Sequence, residues 1–209
     1  MPNRAAVCNR FRPHRFLAGK RPSPGHSLTP QEPLNRLPRM PATPADLFAL
    51  LDRLDIAHPT VSHAALFTVE QSRTLRGQIP GGHTKNLFLK DKRGEFYLVV
   101  ALEDAAIALK SLHQRLGAGR FSFGSAEALR ELLGVEPGSV TPFAAVNDTE
   151  GRVRVVLDAA MLAHEVLNFH PLVNTMTTSI SRAGLLKFLA VTGHAPRVEP
   201  VSEADPAPH

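Results

Sequence analysis

The chain is nearly devoid of cysteine: Cys8 stands alone in 209 residues. That excludes an internal disulfide framework and any cysteine-based zinc site, and it points to a reducing, cytoplasmic setting. No apolar run approaches the roughly 18 residues of a membrane-spanning helix, and the N-terminus lacks the apolar stretch of a secretory signal, so no membrane association is expected. The common catalytic signatures are missing too. Gly81-Gly82 is not followed by the Lys-Ser/Thr of a phosphate loop. Gly117-Ala118-Gly119 lacks the third glycine of a dinucleotide fingerprint and follows a predicted helix instead of a strand. There is no Gly-x-Ser-x-Gly elbow, and His164-Glu165 has no second histidine to complete a zinc helix. Neither a cofactor nor a metal is expected.

Basic charge is abundant but uneven. Residues 1–39 carry eight Lys or Arg against the single Glu32, while the whole chain nets only +5; the remaining residues therefore hold a slight acidic excess. Any nucleic-acid contact on that remainder must be a local patch. The leader also holds seven prolines, at 2, 13, 22, 24, 30, 33 and 38. It shows no sustained periodicity and is expected to be disordered. Three readings stand open for it: a translated stretch ahead of a start at Met40, a basic arm that strengthens RNA binding, or an organellar presequence.

From Met40 the texture changes. Thr43-Pro44-Ala45-Asp46 reads as a helix start, with Leu47, Leu50, Leu51 and Leu54 on one face. An extended stretch at Thr60–His63 and a helix from about Val69 to Arg76 follow. Asn86–Lys90 and Glu95–Ala101 read as strands joined by the polar turn Asp91-Lys92-Arg93-Gly94. Helices are expected at Ala105–Leu116 and, capped by Ser125, at Ala126–Leu133. Ala144–Val146 and Arg152–Leu157 read as a second hairpin around Asn147–Gly151. Strands at Val166–Phe169 and Thr175–Ile180 lead to a helix over Arg182–Val191, and the chain from Pro196 reads as a frayed tail. Strand pairs alternating with helices predict an α+β domain over residues 40–195. Its sheet should be mixed, largely antiparallel and curved, with helices around it.

Two segments carry candidate chemistry. In Gly81-Gly82-His83-Thr84-Lys85-Asn86 a glycine turn allows close backbone approach, Lys85 supplies a point charge suited to phosphate, and Asn86 a bidentate amide. In Asn168-Phe169-His170-Pro171-Leu172-Val173-Asn174 the proline fixes the backbone and holds His170 on a rigid corner. There it can serve as donor, general base or turn residue.

These segments bring a family into view. Residues 40 to about 195 resemble the YbaK/ProX superfamily of aminoacyl-tRNA deacylases, and most of all its free-standing ProX branch of prolyl-tRNA editing proteins. The resemblance runs through the Asp46–Leu54 helix, Ala65-Leu66-Phe67-Thr68-Val69-Glu70, His83–Asp91, Phe169–Asn174 and the closing helix. It implies that Lys85 anchors the phosphate at the terminal adenosine of tRNA, and that Asn86 and His170 line the active site. Leu66, Phe67, Thr68, His83, Thr84, Phe169, Pro171 and Asn174 become candidate substrate contacts. Leu167, Asn168 and Phe169 stand where relatives often carry a glycine. The implied activity is metal-independent hydrolysis of mischarged Ala-tRNA(Pro), with tRNA as partner and prolyl-tRNA synthetase as a second. The alternatives are a deacylase for another small amino acid, a non-catalytic tRNA- or synthetase-binding module, and a hydrolase of small esters.

Overall fold

The computed structural model describes residues 40–64 and 79–202. The expected leader, the helix near Val69–Arg76 and the end of the tail lie outside the described residues.

Helix α1 spans Pro44–Arg53 and begins as its sequence dictates. The Thr43 hydroxyl accepts from the Asp46 N–H, and the Asp46 carboxylate accepts from the Thr43 backbone in return. That reciprocal cap satisfies two amides that the first turn would leave bare. Eight strands follow: β1 (Thr60–Ser62), β2 (Gly82–Asp91), β3 (Phe96–Leu102), β4 (Phe121–Phe123), β5 (Val153–Asp158), β6 (Val166–Phe169), β7 (Met176–Ser181) and β8 (Arg197–Glu199). Three more helices are described, α2 (Leu109–Leu116), α3 (Ala126–Leu133) and α4 (Arg182–Val191). Seven strands run in the order β1-β7-β6-β2-β3-β5-β8, with β4 added against β2. Pairing is antiparallel for β1–β7, β6–β7, β2–β3 and β2–β4, and parallel for β2–β6, β3–β5 and β5–β8. The sheet is thus mixed, as the sequence predicts.

Each face of the sheet has its own core. On one face Phe88, Leu98, Val100 and Leu167 pack with Leu47 and Leu51 of α1, Leu129 and Leu133 of α3, Phe143, and Leu185 and Phe188 of α4. On the other, Leu89, Tyr97, Val99 and Ala101 pack with Leu112 and Leu116 of α2. Successive residues of a strand point to opposite faces, so every β2 side chain is assigned to one core or the other.

Several expectations are corrected. β2 begins at Gly82, four residues before the expected start, because Gly82 and His83 pair with Leu167 and Asn168 of β6, a distant partner that local patterning cannot show. Helix α2 begins at Leu109 and not at Ala105; no side chain caps it, and Ala105–Ala108 run into it without helical structure. The second hairpin is absent. Pro142–Val146 forms a short 3-10 helix, started by Thr141, whose hydroxyl accepts from Phe143 N–H. Asn147 then clamps two distant backbones, accepting from Ala42 N–H and donating to the Leu133 carbonyl. β5 pairs in parallel with β3 and β8 instead. The segment expected to fray holds β8, pinned where buried Asp158 accepts from Val201 N–H.

The entrance to β2 is tight. Gly81 has φ of +106°, and a Cβ placed there would lie 2.8 Å from the Val166 carbonyl oxygen. Both backbone strain and the clash oppose any side chain. Gly81→Ala is expected to destabilise the fold by about 1–3 kcal/mol, read as a lowered urea midpoint with an unchanged denaturant slope.

Candidate functional site

The register of β2 with its neighbours sorts the candidate residues. Lys85 pairs with Ala101 and Asn86 with Val100, and those partners belong to opposite cores. Lys85 and His83 therefore share the α2 face, whereas Thr84 and Asn86 point to the face of Phe88. His83 pairs with Asn168, Asn168 with Ser179, and Val61 with Thr177. Counting in twos along each strand places Asn168, Thr177 and Ser179 on the Lys85 face. Glu103, His170 and His63 fall on that face one step past the ends of β3, β6 and β1.

Side-chain contacts agree with this placement. Ser179 Oγ donates to Asn168 Oδ1 at 2.6 Å, and Asn168 Nδ2 donates to the Pro80 carbonyl at 3.1 Å. Asn168 is 3% exposed, so these bonds satisfy an amide that burial would otherwise penalise. Thr84 Oγ1, from the opposite side of β2, donates to the Asn168 carbonyl at 2.9 Å. Together they lock β2 to β6 and fix where Lys85 leaves the sheet.

Lys85 is half-buried, and its Nζ donates to the Ala105 carbonyl. Among the described residues it makes no ion pair, and the partner seen there is the neutral Ala105 carbonyl dipole. The ammonium has three N–H groups, and this bond uses one. A half-buried cation so placed is complementary to an incoming anion.

His170 is held tightly. Its Nδ1 lies 2.9 Å from the Met176 carbonyl, which can only accept, so Nδ1 carries the proton. Its own carbonyl accepts from Leu172 N–H at 2.9 Å, with Leu172 at φ +68° and Pro171 buried between them. Burial pushes the His170 pKa below the ordinary histidine value. The Met176 bond opposes that shift, the neighbouring charge of His63 adds to it, and Glu103 opposes it. The ring is neutral near pH 7, and Nε2 presents a lone pair.

His63 stands beside it, ring centroids 6.2 Å apart. Its Nε2 meets Thr177 Oγ1 at 2.9 Å and its Nδ1 the Ala64 carbonyl at 2.8 Å. Of the other residues singled out from sequence, His83 is half-buried with Nε2 3.0 Å from the Ile79 carbonyl. Phe169 is a core residue, edge-on to Phe143 at 5.7 Å. Asn174 is half-buried in the turn before β7. Asn86 Oδ1 is buried without a hydrogen-bond partner, on the opposite face from Lys85. Leu66, Phe67 and Thr68 lie outside the described residues. Among the described residues no group of three His, Cys, Asp or Glu side chains is placed to hold a metal ion, and no helix is long and apolar enough to cross a membrane.

His63, Glu103, Thr177 and Ser179 escape sequence reasoning because they converge from three separated strands. Asn168 left one signal, a polar residue in the run Val-Leu-Asn-Phe.

A lysine that makes no ion pair among the described residues and a neutral histidine on the same sheet face suit a substrate that is both anionic and polar. Comparison with known proteins says which kind. Residues 63–188 match the family model described as the aminoacyl-tRNA editing domain. The chain belongs to that family. It is 39% identical over 153 residues to prolyl-tRNA synthetase associated domain-containing protein 1 of Danio rerio, covering 72% of this chain and 83% of that one. It is 33% identical over 149 residues to the prolyl-tRNA editing protein ProX of Acetoanaerobium sticklandii, covering 71% and 91%. Among solved structures, a candidate trans-editing enzyme for prolyl-tRNA synthetase superposes with a TM-score of 0.60 at 19% identity, covering 78% of this chain and 99% of that one; it shows the same fold.

The depressed His170 pKa has a consequence for this editing domain. A group whose folded pKa lies below its unfolded value contributes stability that is present above the unfolded pKa, about 6.5 for histidine. That contribution is lost as pH falls through the folded value. Stability should therefore decline on acidification from about pH 6.5. His170→Asn should flatten that part of the profile, as measured by chemical denaturation across the range.

Proposed function

We propose that this editing domain is a trans-acting deacylase that hydrolyses the ester of Ala-tRNA(Pro). The observation that carries the reading is the placement, on one sheet face, of the Lys85 ammonium, which among the described residues makes no ion pair, and of a neutral histidine whose Nε2 is available. The chain's similarity to ProX and to the synthetase-associated proteins directs it to the proline system.

An aminoacyl ester is already activated, so its hydrolysis requires placement more than a strong nucleophile. It needs an oriented adenosine, a positioned water and dipoles at the developing oxyanion. Lys85 binds a phosphate at the terminal adenosine with the donors left free by Ala105. His170 Nε2 accepts a hydrogen bond from the substrate's α-ammonium group and so orients the ester. The 2′-hydroxyl of the terminal ribose assists the attacking water. None of these steps uses a metal. Asn86, held to the opposite face, is given no step.

The reason for such an enzyme is a second sieve. A synthetase pocket sized for proline rejects the smaller alanine weakly, because missing methylenes change binding by only about 1–3 kcal/mol. A second site that admits alanine and excludes proline removes the error. The slight acidic excess of residues 40–209 favours partnership with a prolyl-tRNA synthetase, or with the basic leader, in retaining tRNA, and a tRNA substrate makes the cytoplasm the expected compartment.

Deacylation assays with Ala-tRNA(Pro) and Pro-tRNA(Pro) test this. Wild-type protein should release alanine and leave proline. Lys85→Ala loses a charge-assisted contact of about 1.5–3 kcal/mol, lowering kcat/KM roughly ten- to hundred-fold. Release of serine or cysteine in place of alanine would reassign the substrate. No release from any aminoacyl-tRNA would leave a binding module.

A further inference from the structure

His63 follows the edge strand β1 and has no part in the mechanism above. A histidine there, with one side to solvent, would ordinarily be a surface residue. Its geometry is more specific than that. The Ala64 carbonyl can only accept, so Nδ1 carries the proton. In the neutral ring Nε2 then accepts from the Thr177 hydroxyl. Thr177 is 6% exposed, and its hydroxyl needs a partner there. Both ring nitrogens are thus committed, and the plane of the ring is fixed.

The neighbour of that fixed ring is His170. The two rings are tilted by 51° at 6.2 Å. They hang from adjacent residues of β7: His170 bonds to the Met176 carbonyl and His63 to the Thr177 hydroxyl. β1 holds its own position by pairing Ser62 with Met176 and Val61 with Thr177. His63 N–H continues the ladder by donating to the Thr175 carbonyl at 2.9 Å. One side of the His170 ring therefore faces a rigid wall that the sheet register itself sets.

We propose that His63 is a positioning residue for the deacylation: tied to Thr177, it seats the His170 ring and holds its Nε2 lone pair in one direction. It acts through His170 and does not touch the substrate. Electrostatics works with the geometry. Among the described residues, the charges that act on His170 are those of His63 from the end of β1 and Glu103 from the end of β3, and β7 adds the Met176 carbonyl dipole; His83 and Lys85 of β2 lie on the same sheet face. Of these, His63 disfavours a second proton on its neighbour and Glu103 favours one.

The kinetic arm of the test rests on the deacylase reading, and the spectroscopic arm does not. His63→Ala removes the tie. His63→Gln keeps an acceptor for the Thr177 hydroxyl and removes the titratable ring. His63→Ala should lower kcat on Ala-tRNA(Pro) about tenfold or more with KM little changed, and its His170 ring should show mixed tautomers in nitrogen-15 spectra. His63→Gln should keep near-normal kcat and the single Nδ1–H tautomer. Thr177→Val cuts the same tie from the other side at nearly constant volume. It should reproduce the kcat loss, and it stands in if His63→Ala melts at assay temperature. Wild-type kcat and an unaltered His170 spectrum in both His63→Ala and Thr177→Val would overturn the proposal. So would equal kcat losses in the alanine and glutamine variants with the His170 tautomer intact. If wild-type protein hydrolyses no aminoacyl-tRNA, the deacylase reading falls, and the His170 spectra alone decide whether His63 seats that ring.

Discussion

β2 hydrogen-bonds to β3 along most of its length, to β6 at its start and to β4 at its end. Few positions in the strand can slip, because a shift of one residue would send every side chain to the wrong core. Phe88 would leave the cluster of Phe143 and Phe188, and Leu89 would leave that of Leu112 and Leu116. The same constraint that places these apolar residues also places Lys85. Its ammonium emerges on the α2 face because Leu89, four residues on, is buried there. The location of charge at the candidate site is thus set by hydrophobic packing, and the polar bonds from Asn168 and Thr84 make the junction with β6 exact to one register.

The electrostatic character of the site follows from the unequal surroundings of Lys85 and His170. Lys85 is only half-buried, and among the described residues its ammonium meets the Ala105 carbonyl and no carboxylate. His170 is more enclosed, and removing an imidazolium from water costs more than the Met176 bond returns. The result is a lysine and a neutral acceptor on one face of the sheet. Under the proposed deacylase reading, RNA brings phosphate to Lys85 and the aminoacyl group brings an ammonium to His170. A domain whose basic and acidic residues balance gains affinity for RNA from such local placement and not from its overall field.

The sequence revealed features whose causes are local. Thr43, Ser125 and Ser181 cap their helices because a side-chain oxygen three residues ahead of a bare amide is a short-range arrangement. The β2–β3 turn was legible for the same reason, with Asp91 accepting from the Arg93 and Glu95 amides. The misses involve distant partners. Ala144–Val146 has strand-like composition, yet Thr141 and Pro142 start a 3-10 turn that buries Phe143 against Phe169 and Phe188. β8 looked like a loose end because its partner β5 lies forty residues away in sequence. At the candidate site, Lys85 and His170 stand out in the sequence through their motif context, and the sheet register puts them on one face. Strand alternation separates Asn86 from them, and no motif marks His63 or Glu103, which reach the site only through sheet pairing.

The most direct test is to map where the aminoacylated end of tRNA binds. A stable mimic, alanine joined through an amide to the 3′ carbon of 5′-phosphorylated adenosine, can be titrated into isotope-labelled protein. The account predicts that NMR shifts centre on Ala101, Asn168 and Thr177, with the Lys85 ammonium and His170 ring signals moving at the same ligand concentration. Shifts centred instead on α1, α3 and α4, with Lys85 and His170 unmoved, would place the substrate on the opposite face and contradict it.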